Sequence, residues 1–588
     1  MADNENCLFT SSVEHQNKQH ILTLTKFTLI WELSNKSKVP DNNLFDPLLR
    51  HDACIDLREI IGVKAIKIPT KSSTLSLRKS FKVDENAPFF IEMQPLGPLG
   101  FSVVVLSQPG NHKWRYKQVS FQCKDSNLCH QWITAVKEAL KNPIFNRPQK
   151  LVVFVNPFSG KKKAVKLYRE KVLPLFELAD IDVTLIETER QNHAKDLVQD
   201  SLDLNNVDGL VCVGGDGMFS EILNGLLTRT ARENGIEETG RFEPVPPDIR
   251  IGIIPAGSTN TIVHTTTGGS DVVTSTLHII LGDKIGIDVN SVNVNNQFIR
   301  YSVTMLGYGY MGDLLKDSDN IRWMGPKRYS WSGTKSFLSN NSYYGEIKYR
   351  LSENPDSHPT DEVKCYTGCD TCSQAGEGTS GMSRNSSGVE FTAGGELTPI
   401  DECSISDKSL SVSEYSTSDP NWRTVVGKFV AVNSVTMSCS CDLSPPGMSP
   451  YCHLGDGCLD LILVSDCSRL DFLKFLMRTA KGEERHNLDF IQMYRVKEFT
   501  FRPLTEDEDL ESLASTEDLT THRKRVKLKR QTSKTSVWNC DGEVIDQAKI
   551  SVRVHCQLIN LFARGVEDLN TSEDQKCKTC CTPTFDRL

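Results

Sequence analysis

Four short apolar segments, each followed by a turn and a helical pattern, constrain the fold of residues 149–287 more than any other feature. The apolar segments are 151–155, 183–186, 209–213 and 251–254, and the helical patterns are 163–178, 194–202, 218–227 and 271–281. Regular alternation of this kind predicts a doubly wound α/β lobe around a mostly parallel sheet. Such sheets bind ligands beyond the carboxyl ends of their strands, so the turns there are the first place to look for a site.

The turn after the third segment reads Gly214-Gly215-Asp216-Gly217. Three glycines allow a phosphate to approach the backbone, and the helix that follows offers free N–H groups. Asp216 cannot attract a polyphosphate by charge, so we expect it to face the group that accepts the phosphoryl. Taken alone, the motif is also compatible with an ordinary strand-to-helix turn with an Asp cap.

Length and composition limit the class of protein. The chain has 588 residues, of which 38% are apolar, and this suffices for two or three domains without disulfides. A net charge of −8 argues against a nucleic-acid partner. The sequence shows no secretory pattern and no apolar run long enough to span a bilayer. We interpret the 19 cysteines as reduced thiols of a cytosolic protein, with room for one metal cluster.

Residues 1–145 have a different pattern, in which short strands precede a single amphipathic helix at 127–140 with a central Trp132. This pattern resembles a pleckstrin homology domain. The resemblance implies binding of anionic membrane lipids through basic residues near loops: Lys64, Lys67, Lys71, Arg78 and Lys79. The alternative is a protein-binding module with solvated surface lysines.

Beyond the α/β lobe, which we assign to residues 146–287, strands predominate. They predict an antiparallel, β-sandwich-like lobe over 288–565, with flexible insertions at about 352–420 and 504–535 and a C-terminal tail at 566–588. The second insertion carries a basic run at 523–530, which we interpret as a solvated loop, with a contact to an anionic membrane or a localisation signal as the alternatives.

Several motifs together resemble one family. The segments NPFSGKKKA, ETERQNHA, VGGDGMFSEILNGL, GIIPAGSTN and WNCDGE occur in the order seen in the diacylglycerol and sphingosine kinase superfamily, and within it the chain is most similar to the ceramide kinases. The resemblance implies transfer of the γ-phosphoryl of ATP, with Mg²⁺, to the primary hydroxyl of ceramide, giving ceramide 1-phosphate. It also implies a cytoplasmic enzyme bound peripherally to intracellular and plasma membranes. The alternatives are a diacylglycerol or sphingosine kinase, or a catalytically silent lipid-binding adaptor.

The resemblance also implies roles for individual residues. Asp216 would act as general base or position the lipid hydroxyl, and Gly214, Gly215 and Gly217 would shape the substrate pocket. The residues expected to bind ATP are Asn156, Pro157, Phe158, Thr188, Asn192, Glu221, Gly257, Ser258, Arg322, Arg328, Asp541, Gly542 and Glu543. The turn 541–543 would lie near magnesium. The alternative for the two arginines is surface pairing with Asp317 or Asp319.

The acceptor is predicted from a departure from the family pattern. Sphingosine kinases place an acid that pairs with the lipid ammonium shortly before the two arginines, and here that position falls near Leu315. A neutral amide-linked lipid needs no such partner, which favours ceramide, although Asp313 and Asp317 are close in sequence. The turn at 255–260 lacks the aspartate common in diacylglycerol kinases, which lowers that alternative.

Two further motifs leave alternatives open. Cys365, Cys369 and Cys372 have the spacing of a zinc site, with Cys439 and Cys441 farther along the chain, but plain reduced thiols fit equally well. The basic amphipathic segment 469–481 is typical of a calmodulin target, and also of a helix that packs its apolar face on the β lobe, which we favour.

Overall fold

The computed structural model describes the chain in several stretches: residues 7–34, 53–67, 99–158 without 109 and 111, 163–324, 327–354, 357–380, 413–416, 422–504 without 486, and 535–569. Some sequence predictions lie outside the described residues: the basic residues Lys71, Arg78 and Lys79, and the basic run at 523–530. Among the helices of the described stretches, none is long and apolar enough to cross a bilayer.

The N-terminal region is one antiparallel sheet with a closing helix. Its elements are β1 (Cys7–His15), β2 (Lys18–Thr25), β3 (Thr28–Leu33), β4 (Ala53–Asp56), β5 (Ile60–Lys67), β6 (Leu99–Ser107), β7 (Arg115–Gln122) and α1 (Ser126–Leu140). The strand order is β4-β3-β2-β1-β7-β6-β5. Asp125 caps α1 by accepting the N–H of Leu128 at 2.8 Å, and the buried Trp132 packs against Phe9 and Phe101. The predicted β domain is confirmed, and Lys64 is exposed on β5.

This domain packs closely on the α/β lobe. A Cβ on Gly62 of β5 would lie 2.2 Å from the carbonyl oxygen of Leu178, so only glycine fits there. The Arg115 guanidinium donates to both carboxylate oxygens of Asp271, at 2.7 and 3.2 Å. Arg147, in the linker, donates to the backbone carbonyl of β5 residue Ile60 at 2.6 Å. Backbone contact and charge-assisted hydrogen bonds together hold the two domains in one arrangement.

The α/β lobe contains four parallel strands in the order β11-β10-β8-β9. The strands are β8 (Lys150–Val155), β9 (Asp182–Glu187), β10 (Gly209–Gly214) and β11 (Arg250–Pro255). The helices are α2 (Ala164–Leu167), α3 (Leu173–Leu178), α4 (His193–Asp196), α5 (Asp216–Glu233), α6 (Thr261–Thr267) and α7 (Val272–Leu281), with π-helical turns at Tyr168–Val172 and Leu197–Ser201. Successive residues of β10 enter opposite cores, Cys212 with α5 and Val211 with α7, as a doubly wound sheet requires.

The parallel strands continue into the β-rich C-terminal region as one sheet, because β11 pairs with β22 at Ile251 and Leu561. The strands of this region are β12 (Ile285–Val294), β13 (Gln297–Ser302), β14 (Met305–Gly309), β15 (Tyr343–Leu351), β16 (Ser413–Ser416), β17 (Trp422–Val435), β18 (Leu459–Ser465), β19 (Ile491–Pro503), β20 (Trp538–Cys540), β21 (Glu543–Ile545) and β22 (Ile550–Leu561). Apart from the β11–β22 pair, these strands pair antiparallel, as predicted.

Four helices also belong to this region: α8 (Tyr310–Asn320), α9 (Lys327–Ser339), α10 (Asp370–Ser380) and α11 (Arg469–Lys481), with a 3-10 turn at Arg322–Met324. The sequence analysis did not predict α8 and α9, whose mixed polar and aromatic residues show no clean apolar period. The insertion that we expected to be flexible contains α10. In α11, Phe472 and Phe475 are buried against the sheet, which agrees with the packing interpretation of this segment.

Candidate active site

The Asp216 carboxylate lies where two turns at the carboxyl end of the parallel sheet meet. Asp216 is the first residue of α5, directly after β10. Its Oδ2 accepts the backbone N–H of Thr261 at 3.0 Å, and its Oδ1 accepts that of Ile262 at 3.1 Å. Both donors belong to the first turn of α6, whose N–H groups have no partner within the helix. The carboxylate is therefore fixed in direction and faces the cleft between the lobes.

Burial raises the pKa of Asp216 above its ordinary value, and the negative charge of Asp541 raises it further, while the two N–H donors of α6 oppose the shift. A raised pKa makes a carboxylate a better proton acceptor. The site thus presents a positioned base of increased basicity to whatever occupies the cleft.

Two predicted glycines let the turns after β10 and β11 touch. A Cβ on Gly257 would lie 2.5 Å from the Cα of Gly215 and 2.9 Å from the Oδ1 of Asn260. The Asn260 side chain in turn accepts the N–H of Gly257 at 2.8 Å. These glycines are required by packing of protein against protein. They place the start of α6 within reach of Asp216.

Gly217 and Gly214 differ from this pair. A Cβ on Gly217 would meet no described protein atom within 4 Å, and the residue is exposed to the cleft. Gly214 is buried, where a Cβ would lie 3.1 Å from the Sδ of Met218. Packing thus explains glycine at position 214, whereas at position 217 only a ligand that approaches the backbone would require it.

The cleft has a volume of about 620 Å³ and brings most of the predicted site residues together. Those that line it are Asn156, Phe158, Thr188, Gly215, Asp216, Gly217, Glu221, Ser258, Asp541, Gly542 and Glu543. The predicted residues that do not line it are Pro157, Asn192, Gly214, Gly257 and Arg328. For Arg322 the structure describes only the backbone. Both lobes contribute walls, so the cleft exists only in the assembled chain.

Local hydrogen bonds shape the first wall of the cleft. The Oδ1 of Asn156 accepts the N–H of Phe158 at 2.9 Å and so turns the chain directly after β8. The N–H of Thr188 donates to the carbonyl of Val155 at 2.9 Å, which places this buried threonine beside the same strand end. Phe158 is 67% exposed, so its ring is available to a ligand.

Asp541, on the β-rich side, has many more partners than Asp216. Its carboxylate accepts hydrogen bonds from the Ser302 hydroxyl, from the N–H groups of Val303, Thr304 and Met305, and from the Thr304 hydroxyl. The residue has a φ of 49°, and Gly542 follows at 87°, in the left-handed region. Asp541 therefore joins the β20–β21 turn to the segment between β13 and β14.

Two further carboxylates of the cleft are held by specific partners. Glu543 pairs with Arg300, whose guanidinium also donates to the Ser220 hydroxyl of α5 at 2.8 Å. Glu221, on α5, accepts the N–H of Ala194 at 3.3 Å, and burial followed by the charge of Glu543 raises its pKa despite backbone donors that lower it. The Arg300 contacts connect the two lobes across the cleft.

The predicted arginines are less central than expected. Arg328 lies 3.9 Å from Asp319 and donates to the hydroxyl of Tyr329 at 2.6 Å, and Tyr329 itself lines the cleft. The surface pairing with Asp319 that we considered as an alternative is thus present. The sequence analysis missed Arg300, although it is the one charged residue of its strand, Gln297–Ser302. The other cleft residues to which it gave no role are Glu189, Arg190, Gln191, Met218, Thr259, Thr261, Thr304, Met305, Tyr329 and Asn539.

A second cluster lies away from the cleft. The ligand atoms of Cys365, Cys369, Cys372 and His453 all lie within 4.8 Å of one another. Cys365 and Cys372 have their sulfurs 3.6 Å apart, and the Cys369 sulfur is 3.3 Å from the Nδ1 of His453. The three predicted cysteines therefore meet, and the fourth member is a histidine that the sequence analysis did not consider. Cys439 and Cys441 are not in this group.

Comparison with known proteins agrees with this architecture. Residues 9–136 match the family model described as "Ceramide kinase PH domain", residues 150–292 match "Diacylglycerol kinase catalytic domain", and residues 397–581 match "Ceramide kinase C-terminal domain". The chain is 41% identical over 474 residues to a ceramide kinase of Homo sapiens, covering 80% of this chain and 84% of that protein. It is 30% identical over 463 residues to ceramide kinase 1 of Caenorhabditis elegans, with coverage of 77% and 72%. A ceramide kinase of Arabidopsis thaliana is 31% identical over 527 residues, with coverage of 77% and 79%.

Proposed function

Because the chain belongs to the ceramide kinase family, we propose that it transfers the γ-phosphoryl group of ATP to the primary hydroxyl of ceramide, giving ceramide 1-phosphate. The observation that carries this proposal is the Asp216 carboxylate, fixed by two N–H donors of α6 and raised in pKa, in a cleft lined by the strand ends of the α/β lobe. A hydroxyl acceptor needs such a base, whereas lipid binding alone does not.

In the proposed reaction, Asp216 orients the ceramide hydroxyl by accepting its hydrogen bond. The hydroxyl oxygen forms a bond to the γ-phosphorus while the bond from that phosphorus to the β,γ-bridging oxygen breaks, and ADP leaves. The hydroxyl proton moves to the Asp216 carboxylate late, because the transition state of phosphoryl transfer is loose. Orientation of the hydroxyl is therefore the larger contribution of Asp216.

The nucleotide is assigned to the wall formed by the turns after β8, β9, β10 and β11. Asn156, Thr188 and Ser258 offer short polar side chains there, and the open space at Gly217 leaves its backbone accessible to a phosphate oxygen. The exposed ring of Phe158 supplies apolar surface for a base. We keep Pro157, Asn192 and Gly257 as proposed supports of this wall, because each adjoins a residue that lines it. We keep Arg322 and Arg328 as proposed phosphate-facing residues of the opposite, β-rich side, where Arg328 adjoins the cleft residue Tyr329.

The charges in the cleft fit Mg²⁺. Five of the described carboxylates line it: Glu189, Asp216, Glu221, Asp541 and Glu543. The one cation among the described residues that line it, Arg190, pairs with Asp196, and Arg300 behind the wall pairs with Glu543, so a polyphosphate bound there requires further cationic compensation. Glu543 and the Oδ2 of Asp541 offer the carboxylate oxygens that Mg²⁺ prefers, and among the described residues this Oδ2 accepts only the Val303 N–H. When bound, the ion would neutralise charge on the transferring phosphoryl group.

The acidic residues near the acceptor position support a neutral lipid. Leu315 is 4% exposed on α8. Asp313 accepts the hydroxyls of Ser536 at 2.6 Å and Tyr343 at 2.5 Å, and Asp317 pairs with Lys335. Neither carboxylate lines the cleft, and Asp317 already has a lysine partner, so the cleft offers neither of them to the ammonium of sphingosine. Ceramide, whose nitrogen is an uncharged amide, does not need a carboxylate partner.

The cysteine cluster is proposed to hold zinc. A tetrahedral zinc with sulfur at about 2.3 Å places sulfurs about 3.8 Å apart, and the Cys365 and Cys372 sulfurs are 3.6 Å apart. The ion would join the segment before α10 to the loop at His453, beside Gln557, which donates to the carbonyl of Cys372 at 2.7 Å. Metal analysis of the purified protein should give one zinc per chain, and His453→Ala should lose it.

For membrane recruitment, we propose that the N-terminal domain binds anionic lipids. Of the five basic residues predicted for this role, Lys64 is the one whose side chain the structure describes, and it is exposed. The enzyme is then peripheral and acts where its lipid substrate resides. A Lys64→Glu variant should bind anionic vesicles more weakly while turning over dispersed substrate normally.

The direct test of the activity is phosphate transfer from labelled ATP with Mg²⁺ to ceramide, sphingosine and diacylglycerol, each in mixed micelles. Selective labelling of ceramide is expected. Labelling of sphingosine or diacylglycerol instead would keep the kinase assignment and overturn the acceptor. Binding of these lipids without any transfer would favour a silent lipid-binding adaptor.

A further inference from the structure

Helix α9, which begins beside the cleft, carries large apolar side chains on its solvent side. Trp331 is 61% exposed and Leu338 is 57% exposed, and Trp323 in the preceding turn is 84% exposed. Trp331 and Leu338 are seven residues apart in sequence, so they lie on one stripe of the helix. Tyr329 of the same helix lines the cleft. An apolar surface of this size at the edge of a site indicates an interaction surface.

Helix α11 has a second apolar face besides the one packed on the sheet. Phe472 and Phe475 are buried, but Leu470 is 72% exposed, Leu473 is 40% exposed and Met477 is 50% exposed. The exposed residues follow one another at three and four positions, which places them on one side of the helix. Packing within the chain therefore accounts for only one of the two apolar faces of α11.

The two helices are neighbours. The rings of Phe337, on α9, and Phe472, on α11, stack with centroids 6.4 Å apart. At the end of α9, the side-chain amide of Asn340 donates to the carbonyl of Cys467 at 3.0 Å. We use the name α9–α11 face for the exposed side chains of this pair: Trp323, Trp331, Leu338, Leu470, Leu473 and Met477.

Basic residues accompany this face in an otherwise acidic chain. Residues 322–339 contain four basic residues and no acidic residue, and residues 469–481 contain four basic residues against Asp471, while the whole chain has a net charge of −8. Lys335 and Lys474 keep side chains 61% and 63% exposed although each has an acidic neighbour. Tryptophan and leucine among exposed lysines match the interface of an anionic bilayer, where rings insert and cations meet lipid phosphates.

We propose that the α9–α11 face is a membrane-docking surface, separate from the N-terminal domain, that places the mouth of the cleft on an anionic bilayer. The inference rests on the proposed function, because ceramide, with two hydrocarbon chains, stays in the bilayer and must enter the cleft from it. Docking beside Tyr329 shortens the path of the lipid hydroxyl to Asp216.

The test compares vesicle binding and turnover in matched variants of the full chain. Two double variants remove exposed side chains, Trp323→Ala with Trp331→Ala, and Leu470→Ala with Leu473→Ala. The control is Leu185→Ala, which removes a 41% exposed leucine from β9 at the other end of the sheet. Each protein is sedimented with phosphatidylcholine vesicles with and without phosphatidylserine. Each is also assayed on ceramide in those vesicles and on a short-chain ceramide dispersed without vesicles.

Both double variants should lose vesicle binding and turnover of vesicle ceramide by about tenfold or more, and keep wild-type turnover of the dispersed substrate. The control should match the wild type. Wild-type vesicle binding in both double variants overturns the proposal, and so does an equal loss on both substrates, which would assign the residues to the cleft itself. Each protein is also tested for capture on immobilised calcium-loaded calmodulin. If the double variants bind vesicles like the wild type but are no longer captured by calmodulin, the face belongs to a protein partner. If the wild type phosphorylates neither ceramide, the proposed function fails, while sedimentation still decides the docking.

Discussion

At the start of α5 the Asp216 carboxylate accepts two backbone N–H groups, whereas at the β20–β21 turn the Asp541 carboxylate accepts five hydrogen bonds. Both residues follow a strand, both adjoin glycine and both line the cleft. The difference shows that two acidic residues in similar glycine turns can have different roles. The hydrogen bonds that each carboxylate accepts decide whether it can act on a ligand or mainly holds the protein together. Asp216 retains acceptor capacity toward the cleft, while Asp541 mainly holds two segments together.

The largest expected effect is the loss of turnover in Asp216→Asn. An amide can still accept one N–H from α6, but it cannot take the proton of the acceptor hydroxyl. We expect kcat to fall about 10³-fold, within the range for loss of a general base. ATP affinity, measured by calorimetry, should stay near that of the wild type. A turnover within a few fold of wild type would remove Asp216 from the reaction.

The second effect concerns stability. Asp541→Asn should lower the free energy of unfolding by about 3 kcal/mol, because five donors lose a negatively charged acceptor and the amide NH2 group must face at least one N–H group. Chemical denaturation of this variant beside Asp216→Asn makes the comparison. Asp216→Asn should lose no more than about 1 kcal/mol, because only two donors lose the charged acceptor and a charge disfavoured by burial is removed. Equal destabilisation of the two variants would show that their different hydrogen-bond counts do not govern stability.

The third prediction contrasts two glycines. Gly257→Ala places a Cβ against the backbone of Gly215, and it should cost about 1–3 kcal/mol of stability. In Gly217→Ala the Cβ enters open space, so the fold should be unaffected, while kcat/KM for ATP should fall about tenfold if a phosphate approaches there. Thermal unfolding and initial rates separate the two. A Gly217→Ala enzyme with normal kinetics would place the nucleotide elsewhere.

The smallest effect is in pH dependence. Because burial raises the pKa of Asp216, the acid limb of kcat/KM should lie at a higher pH than the ordinary Asp value of 3.8. The contribution of Asp216 to the free energy of unfolding depends on pH in the opposite way to that of a salt-bridged acid. Because its pKa is higher in the folded state than in the unfolded state, the contribution is fully present below the unfolded-state pKa. It is lost as the pH rises through the folded-state pKa. Wild type should therefore gain stability relative to Asp216→Asn as the solution is acidified. If the difference in free energy of unfolding between wild type and Asp216→Asn stays constant across acidic pH, the pKa of Asp216 is not raised.

The sequence predicts the α/β side of the cleft well because its signals are local. Each strand, turn and helix of this lobe follows in order, so the turns at Asn156, Asp216 and Gly257 could be expected at one sheet edge. Helix α6 was the exception, since its Thr-rich residues lack an apolar period. Its N–H groups nevertheless define the geometry of Asp216.

The β-rich side was harder because its contacts join distant residues. Asp541 meets Ser302, 239 positions away, and Arg300 meets Glu543 across 243 positions, separations that no local pattern reveals. His453 joins the cysteine motif from 84 positions beyond Cys369 for the same reason. Spacing alone identified three members of the cluster and could not identify the fourth.

The close packing of the N-terminal domain on the α/β lobe, with Gly62 against the backbone of Leu178 and Arg115 paired to Asp271, has a mechanical consequence. A domain fastened in this way acts as a spacer of fixed length and not as a tether. Once its lipid-binding surface is seated, the height and tilt of the cleft above the headgroups are set by the protein. Turnover should then respond to the curvature of the bilayer, which moves the lipid hydroxyl relative to that fixed height.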